Sequence, residues 1–365
     1  MTIKFILAAA SRFIPATRTT STTFVATTPA RVALLFSSCI CGIWCSAAAA
    51  QDAPGIDLYG SLRAQVETVS PDRHGGYTAA RDAYSRVGIN ARYPVDANLA
   101  LTAQLELPVD VANLRLRDPY DQDEPIRLST IGVQGKFGAI TYGQQWMPYY
   151  NAVAAPVDMF SSYYSGYATY TVFRVAKTLA YSTPAHEGLS FGAAYSGSSG
   201  NRRSTSRIDD RRWQAAATYT RGGTRLAAGI DDRGNAGYGS NRLYGIALSH
   251  QADALYLAIK YEAFASKNRQ AGSFSTDGNR AVNLYGHYVL GKSTVKLMLA
   301  KVDNYGDEII HVGIDYALSS QSKVFAEIYH EAATAALTAR RGGLADGDAS
   351  GGGGRAVAVG LRHDF

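Results

Sequence analysis

Side chains that could perform catalysis or bind a metal are few and scattered in this chain. Histidine is the most common general base and metal ligand in proteins, and its seven copies are His74, His186, His250, His287, His311, His330 and His363. None of them has a nucleophile or a second ligand at the spacing that a catalytic or metal site requires, so we interpret them as lumen or interface residues. Glycine runs at 342–343 and 351–354 lack the strand–loop–helix context of a phosphate cradle. The sequence therefore predicts no catalytic site, no metal and no cofactor.

The cysteines and much of the positive charge are confined to the first 50 residues. Cys39, Cys41 and Cys45 are the only thiols. Four of the 36 basic residues and none of the 30 acidic ones lie in this segment, so the rest of the chain carries a net charge of +2 rather than +6. These counts exclude a thiol nucleophile, a disulfide framework and a cysteine metal site from residues 51–365. They also argue against a nucleic-acid partner, which needs a basic surface.

Residues 1–50 have the organisation of a secretory signal peptide. Arg31 precedes an apolar stretch from Val32 to Trp44, and small residues follow as far as Ala50. A basic region, a short apolar core and an Ala-x-Ala end direct a chain across the inner membrane and are then removed. The alternative is a membrane anchor helix, because the run Val32–Gln51 is uncharged and long enough to span a bilayer. We predict cleavage after Ala50, which leaves 51–365 as one domain.

Beyond residue 51, apolar and polar residues alternate with a period of two. In Leu99–Leu107 every odd position holds Leu or Ala, whereas Thr102, Gln104 and Glu106 occupy even positions. Such a period places successive side chains on opposite faces of a β-sheet. No later segment approaches the 18 apolar residues of a transmembrane helix.

Sixteen segments show this alternation or a related strand pattern. The predicted strands are 56–69, 84–95, 98–108, 126–136, 139–147, 174–183, 188–197, 211–221, 224–233, 241–251, 254–265, 280–290, 293–304, 308–319, 322–332 and 355–365. Their connections mostly alternate between short turns and long loops. The long loops lie near 70–83, 109–125, 148–173, 198–210, 234–240, 266–279 and 333–354, and the short connection Tyr305-Gly306-Asp307 on the long-loop side is the exception. Short turns on one side and long loops on the other are typical of a transmembrane β-barrel.

The predicted fold class is therefore all-β, a sixteen-stranded antiparallel transmembrane β-barrel. Strands of roughly 11 residues have the length that crosses a membrane. The 24 tyrosines suit the aromatic girdles at the two interfaces. A soluble β-sandwich is the alternative, since alternation alone does not say whether the apolar face is inside or outside.

Several motifs, in order along 56–365, resemble those of the Gram-negative general porins, most closely the β-proteobacterial ones. They are Asp57-Leu58-Tyr59-Gly60, Ser85–Ile89, Gly132–Gly143, Arg174–Pro184 and the ending Gly360–Phe365. The resemblance implies a homotrimer in the outer membrane that carries small hydrophilic solutes by passive diffusion. It also implies contact with outer-membrane lipid and lipopolysaccharide.

The resemblance further implies a pore constriction formed by the third loop, about 146–173, folded into the lumen. Its aromatic residues would include Tyr149, Tyr150, Tyr163 and Tyr164, and its single acid is Asp158. The facing basic cluster would be Arg86, Arg127 and Arg174, with Arg63 taking the place of the family's first-strand lysine, which is Ser61 here. One acid against three or four arginines predicts a weak preference for anions. The alternative is that these arginines pair with lumen acids such as Glu106 or Asp231.

Two further features concern assembly. Phe365, His363 and Leu361 share one face of the last strand, and an aromatic C-terminus resembles the signal read by the outer-membrane assembly machinery. Gln144 stands where relatives carry an arginine that receives an acid from a neighbouring subunit, which leaves the subunit contact open.

We therefore predict an outer-membrane porin, not an enzyme. The alternatives are a substrate-selective channel, which the loop tyrosines would suit, and a structural or adhesive barrel without an open pore.

Overall fold

The computed structural model describes residues 54–73, 75–119, 125–197, 211–234, 240–333, 335–337 and 352–365, with the backbone of 202–203 and 206–207. The predicted signal peptide at 1–50 lies outside the described residues, as does the acidic tip of the second loop at 121–124. The cleavage site therefore stays a prediction.

The described part of the chain is dominated by β-strands. Their bounds are β1 Gly55–Pro71, β2 Tyr77–Asp82, β3 Arg86–Asp96, β4 Leu99–Pro108, β5 Leu128–Gly135, β6 Gly138–Trp146, β7 Arg174–Ser182, β8 Leu189–Ser196, β9 Arg202–Arg203, β10 Ser206–Arg207, β11 Arg212–Arg221, β12 Thr224–Asp232, β13 Asn241–Ala252, β14 Leu255–Ser266, β15 Arg280–Leu290, β16 Ser293–Val302, β17 Asp307–Ala317, β18 Ser322–Glu331 and β19 Gly354–Asp364. Two short helical turns, Tyr150–Ala154 and Ala155–Val157, follow β6. No helix within these ranges is long and apolar enough to cross a membrane.

One antiparallel sheet contains every strand except the short β9–β10 hairpin, and it closes on itself. Closure is made by β1 and β19, which pair from Ser61 opposite Asp364 to Pro71 opposite Gly354. Strands β2 and β3 both pair with β1, one after the other, and so share one position. The barrel therefore has sixteen positions, which confirms the predicted fold class.

The second barrel position is interrupted at residues 83–85. Tyr84 there has a φ of 68°, a left-handed conformation that non-glycine residues rarely adopt. The break is held by Ser85, whose amide donates to Asp82 Oδ1 (2.8 Å) and whose hydroxyl donates to the Arg63 carbonyl (3.1 Å). The strand predicted at 84–95 thus has an additional segment, β2, and most of the predicted loop at 70–83 is strand.

The apolar face of the sheet points outward. In β13, Tyr244, Ile246 and Leu248 are exposed on the outer face, whereas Leu243 and Ala247 face the interior. A soluble sandwich would bury this apolar row and expose the polar one. Lipid around the barrel explains the observed orientation, because it solvates the apolar side chains.

The start of the last long loop also folds inward. Glu331 at the end of β18 accepts hydrogen bonds from the amides of Ala335, Ala336 and Leu337, at 3.0, 2.8 and 3.0 Å. All three residues are buried. The first residues of this loop are therefore part of the interior, and 338–351 lie outside the described residues.

Candidate functional site

The third loop lies inside the barrel. It leaves β6 at Trp146 and returns to β7 at Arg174, and the amide of Met147 donates to the carbonyl of Phe173 (2.9 Å) at its neck. A backbone inside a barrel must find partners for its amides and carbonyls. The wall strands supply those partners on the side formed by β11–β19 and β1.

Two side chains of the wall bind successive amides of the loop. Glu327 on β18 accepts from the amides of Ser161 (2.8 Å) and Ser162 (3.0 Å). Gln65 on β1 accepts from the amide of Tyr163 (2.9 Å). These contacts fix the middle of the loop against the seam where the barrel closes.

A buried ion pair on β14 holds the returning part of the loop. Lys260 Nζ lies 2.6 Å from Glu262 Oε2 and donates to the carbonyl of Ala168 (3.0 Å). Glu262 in turn accepts from the amide of Tyr170 (3.1 Å). Sequence reasoning missed this pair. The signal that could have revealed it is a pair of charged residues at inward positions of an alternating strand.

A pair of inward glycines makes room for Tyr149. Gly229 on β12 and Gly245 on β13 lie opposite each other. A Cβ at Gly245 would lie 2.0 Å from the Tyr149 hydroxyl oxygen, and one at Gly229 would lie 2.9 Å from its ring. The Tyr149 ring packs against the two glycines, and the Tyr149 amide donates to Gln214 Oε1 (3.0 Å).

The loop tyrosines pack between the loop and the wall. The four predicted aromatic residues of the constriction, Tyr149, Tyr150, Tyr163 and Tyr164, are all buried. Tyr163 stacks on Tyr84 with ring centroids 5.5 Å apart, and Tyr164 stacks on Tyr329 at 4.9 Å. These contacts pack the loop against the inner face of the wall.

Tyr164 also donates a hydrogen bond to Glu67 Oε2 (2.8 Å). Burial raises the pKa of the Tyr164 hydroxyl well above its usual value, and the negative charge of Glu67 raises it further. The phenol therefore stays protonated and remains a donor over the physiological pH range.

Arg86 and Arg127 meet at one carboxylate of the barrel wall. Glu106, an inward residue of β4, lies 2.8 Å from Arg127 Nε and 3.6 Å from Arg86 Nε. Arg127 is buried, whereas Arg86 is partly exposed to the lumen. Pairing with Glu106 is the alternative that the sequence left open; Asp231 pairs elsewhere, with Arg212 (3.0 Å) and Arg233 (3.2 Å).

A second carboxylate joins Arg127 to Arg174. Asp118 of the second loop lies 2.5 Å from Arg127 Nη1 and 3.4 Å from Arg174 Nη2. The Arg174 guanidinium also lies over the Trp146 ring, 5.2 Å from its centroid. The structure thus brings the three predicted arginines into one network, which we call the arginine network: Arg86, Arg127 and Arg174 with Glu106 and Asp118.

Arg63 lies in a row of cations across three strands. It is opposite Arg362 on β19, which is opposite Lys323 on β18, and all three point inward. Arg362 contacts Asp364 (2.8 Å) and Lys323 contacts Asp315 (2.6 Å). Arg63 donates to the hydroxyl of Ser61 (2.8 Å) and forms no ion pair with any described carboxylate. Sequence reasoning missed Arg362 and Lys323.

Asp158 does not meet the arginines. Its carboxylate accepts from Tyr150 Oη (2.7 Å) and Ser165 Oγ (2.5 Å) within its own loop, and no ion pair to it occurs among the described residues. The count of one acid against three or four arginines is therefore incomplete, because Glu106 and Asp118 are the carboxylates in contact with the basic cluster.

The C-terminal residues lie on the outer face. Phe365, His363 and Leu361 alternate with the inward Asp364 and Arg362, and Phe365 exchanges backbone hydrogen bonds with Gly60 (2.9 and 3.1 Å). The His363 and Phe365 rings stack with centroids 5.9 Å apart. The aromatic end is thus built into the seam that closes the barrel.

Replacing Gly60 with alanine is expected to destabilise this seam. The new Cβ would lie 2.4 Å from the Phe365 ring and 2.8 Å from the Arg86 carbonyl, and an overpacked contact typically costs about 1–3 kcal/mol. The measurement is the thermal transition of the refolded barrel followed by circular dichroism. Gly55→Ala is the matched control, since a Cβ there meets nothing within 4 Å; equal transitions for the two variants would contradict the prediction.

Gln144, at the predicted subunit contact, bonds within its own chain. Its side-chain amide donates to the carbonyls of Ile126 (2.5 Å) and Arg127 (3.1 Å). It therefore steadies the backbone that carries Arg127.

Comparison with known proteins agrees with this geometry. A family model described as Gram-negative porin matches residues 33–336. No curated protein sequence matches the chain. Among solved structures, the chain is similar to an anion-selective porin from Comamonas acidovorans (TM-score 0.69, 19% identity, 86% of this chain and 100% of that one). It is also similar to Salmonella typhi OmpF in complex with daunomycin (TM-score 0.67, 18% identity, 87% and 99%), and to the trimer form of OmpT from Vibrio cholerae (TM-score 0.58, 16% identity, 86% and 100%).

Proposed function

The chain belongs to the Gram-negative porin family, and from that premise we propose that its outer-membrane channel conducts small hydrophilic solutes and ions with a weak preference for anions. The family consists of channels rather than enzymes. The outer membrane is its location, in agreement with the outward apolar face of the barrel.

The observation that supports the anion preference is the balance of charge in and around the arginine network. Among the described residues, the three arginines of the arginine network contact two carboxylates, Glu106 and Asp118, and Arg63 contacts none. Counted over these six side chains, the net charge is +2. Asp158 reduces it to +1 if its charge reaches the bore. A positive constriction between low-dielectric walls concentrates anions and repels cations.

The row Lys323, Arg362 and Arg63 supports the same preference. Like charges directly opposite each other on neighbouring strands destabilise a sheet, and this row contains two such pairs in succession. Asp364 and Asp315 offset part of the repulsion at Arg362 and Lys323, whereas Arg63 has no such acid among the described residues. Permeating anions would relieve this repulsion. The Comamonas porin is described as anion-selective; at 19% identity it supports the fold, and we extend its selectivity to this chain only as part of the proposal.

A homotrimer is the proposed assembly. An outward depression of about 790 Å³ crosses β1 and β3–β7, and its lining includes Ile56, Ala91, Leu101, Ala103 and Ile131. A concave apolar face of this kind suits packing against a second copy of the barrel. Contacts with outer-membrane lipid and lipopolysaccharide, recognition of the C-terminus by the assembly machinery and removal of residues 1–50 complete the proposal.

Single-channel recording of the refolded protein in planar bilayers tests the function. We expect large ohmic currents that close in three steps, and a reversal potential under a salt gradient that shows a modest preference for anions. A barrel without current would contradict an open pore and favour the structural or adhesive alternative. Current with clear cation preference would contradict the proposed selectivity. Flux that saturates with one solute would favour a substrate-selective channel instead.

A further inference from the structure

The second loop contributes a carboxylate to the arginine network. This loop connects β4 and β5, and Asp118 lies near the end of its first described part. The Asp118 side chain contacts two guanidinium groups that belong to different parts of the wall: Arg127 precedes β5 and Arg174 begins β7. Asp118 is only 1% exposed.

The position of Asp118 is fixed by the fold of the loop around it. The amide of Val109 donates to the Ser85 carbonyl (2.9 Å) and the amide of Val111 donates to Asp82 Oδ2 (3.3 Å). Asp110 and Arg115 then exchange two backbone hydrogen bonds, at 2.7 and 3.2 Å, which turn the chain back toward the wall. This first part of the loop is therefore attached to its own barrel.

We propose that Asp118 is a selectivity-determining residue of the channel, supplying from the second loop the negative charge that the sequence assigned to Asp158 in the third loop. The inference rests on the proposed channel function and names the residue that limits its anion preference. Asp118 acts in two ways. Its charge lowers the net charge of the constriction by one, and its carboxylate occupies an N–H group of the partly exposed Arg174 that could otherwise bind permeating anions.

The test is the reversal potential of Asp118→Asn under a salt gradient. Asparagine keeps the shape of the side chain and removes its charge. The ratio of anion to cation permeability is expected to rise by about twofold. This is less than a unit charge about 4 Å from an ion in water would give, because Asp118 is buried beneath the arginines. The difference should shrink as the salt concentration rises, because salt screens the charge.

Asp253→Asn is the matched control. Asp253 lies in the exposed turn between β13 and β14 and has a φ of 48°, a conformation that asparagine also tolerates. This variant removes one negative charge from a position outside the network, so its permeability ratio should equal that of the wild type. An Asp118→Asn ratio no higher than that of Asp253→Asn would overturn the inference.

Two further variants keep the test decisive if Asp118→Asn folds poorly. Asp118→Glu retains the charge and should keep the wild-type ratio. The double variant Asp118→Asn/Arg174→Gln removes one charge of each sign, and its ratio should lie below that of Asp118→Asn and near that of the wild type. A changed ratio in Asp118→Glu, or a double variant that matches Arg174→Gln alone, would contradict the role of Asp118. Absence of current in the wild type would instead contradict the proposed function.

Discussion

Replacing Arg63 and Arg86 together with glutamate is expected to convert the channel from anion preference to cation preference. The two substitutions change the charge of the constriction from +2 to −2, counted over Arg63, the arginine network and its two acids. A unit charge a few ångströms from an ion in water contributes about 1 kcal/mol, and about 1.4 kcal/mol is a tenfold ratio. The anion-to-cation permeability ratio should therefore fall by about tenfold or more, as measured by the reversal potential in a salt gradient.

The barrel is expected to tolerate these two changes. The carboxylate introduced by Arg63→Glu would lie opposite Arg362 and so replace a repulsive cross-strand pair with an attractive one. Residue 86 is partly exposed to the lumen, where a carboxylate can be hydrated and can turn away from Glu106. Glu106 loses its 3.6 Å contact with Arg86 but keeps the shorter one with Arg127 (2.8 Å).

A matched control removes the effect of net charge on the whole protein. Arg221→Glu/Lys292→Glu makes the same change at two exposed residues beside the short turns. Its reversal potential should remain that of the wild type. If the control shifts as far as the lumen variant, or if the lumen variant keeps its anion preference, the assignment of selectivity to this part of the lumen is wrong.

The architecture of the barrel could be predicted because each strand contains its own signal. Alternation specifies which residues face lipid, and turns such as Gly222-Gly223 mark where strands reverse. The predicted strand 241–251, for example, corresponds to Asn241–Ala252 in the structure. The interruption at Tyr84 could not be predicted in this way. It depends on Ser85 and Asp82 bonding across the break and to Arg63, a residue 22 positions away from Ser85.

The partners of the site residues depend on contacts between distant segments, which alternation does not encode. The sequence identified the four arginines, and the structure brings three of them together. The sequence did not identify which carboxylates these arginines contact. Asp158 is the only acid of the third loop, yet its neighbours Tyr150 and Ser165 hold it within that loop. Asp118 reaches Arg174 across 56 residues of sequence, through the turn of the second loop.

The wall residues that hold the third loop lead to the second large expected effect. Replacing Glu327 with alanine should release the middle of the loop and lower the thermal stability of the barrel. Glu327 accepts from the amides of Ser161 and Ser162, and its carboxylate lies 3.0 Å from Lys296 Nζ and 3.1 Å from His311 Nε2. Removing one partner of a buried pair typically costs about 3–5 kcal/mol when the other charge is left without compensation. Lys296 keeps Asp315 at 2.8 Å, so we expect a loss near the lower end, about 3 kcal/mol, most of it from the two loop amides that lose their acceptor.

Two measurements separate loosening of the loop from general destabilisation. Circular dichroism should show a lower thermal transition for Glu327→Ala, and single-channel currents should become noisy, because a loop that has lost its wall contacts samples several positions in the bore. Glu327→Gln keeps an acceptor for one loop amide but loses the charge that faces Lys296, so it should be intermediate in both measurements. Glu308→Ala, at an exposed position of β17, is the control and should match the wild type. Quiet currents together with a lowered transition would mean that Glu327 stabilises the wall alone and that the remaining contacts, chiefly Gln65 with Tyr163 and the Lys260–Glu262 pair, are enough to hold the loop.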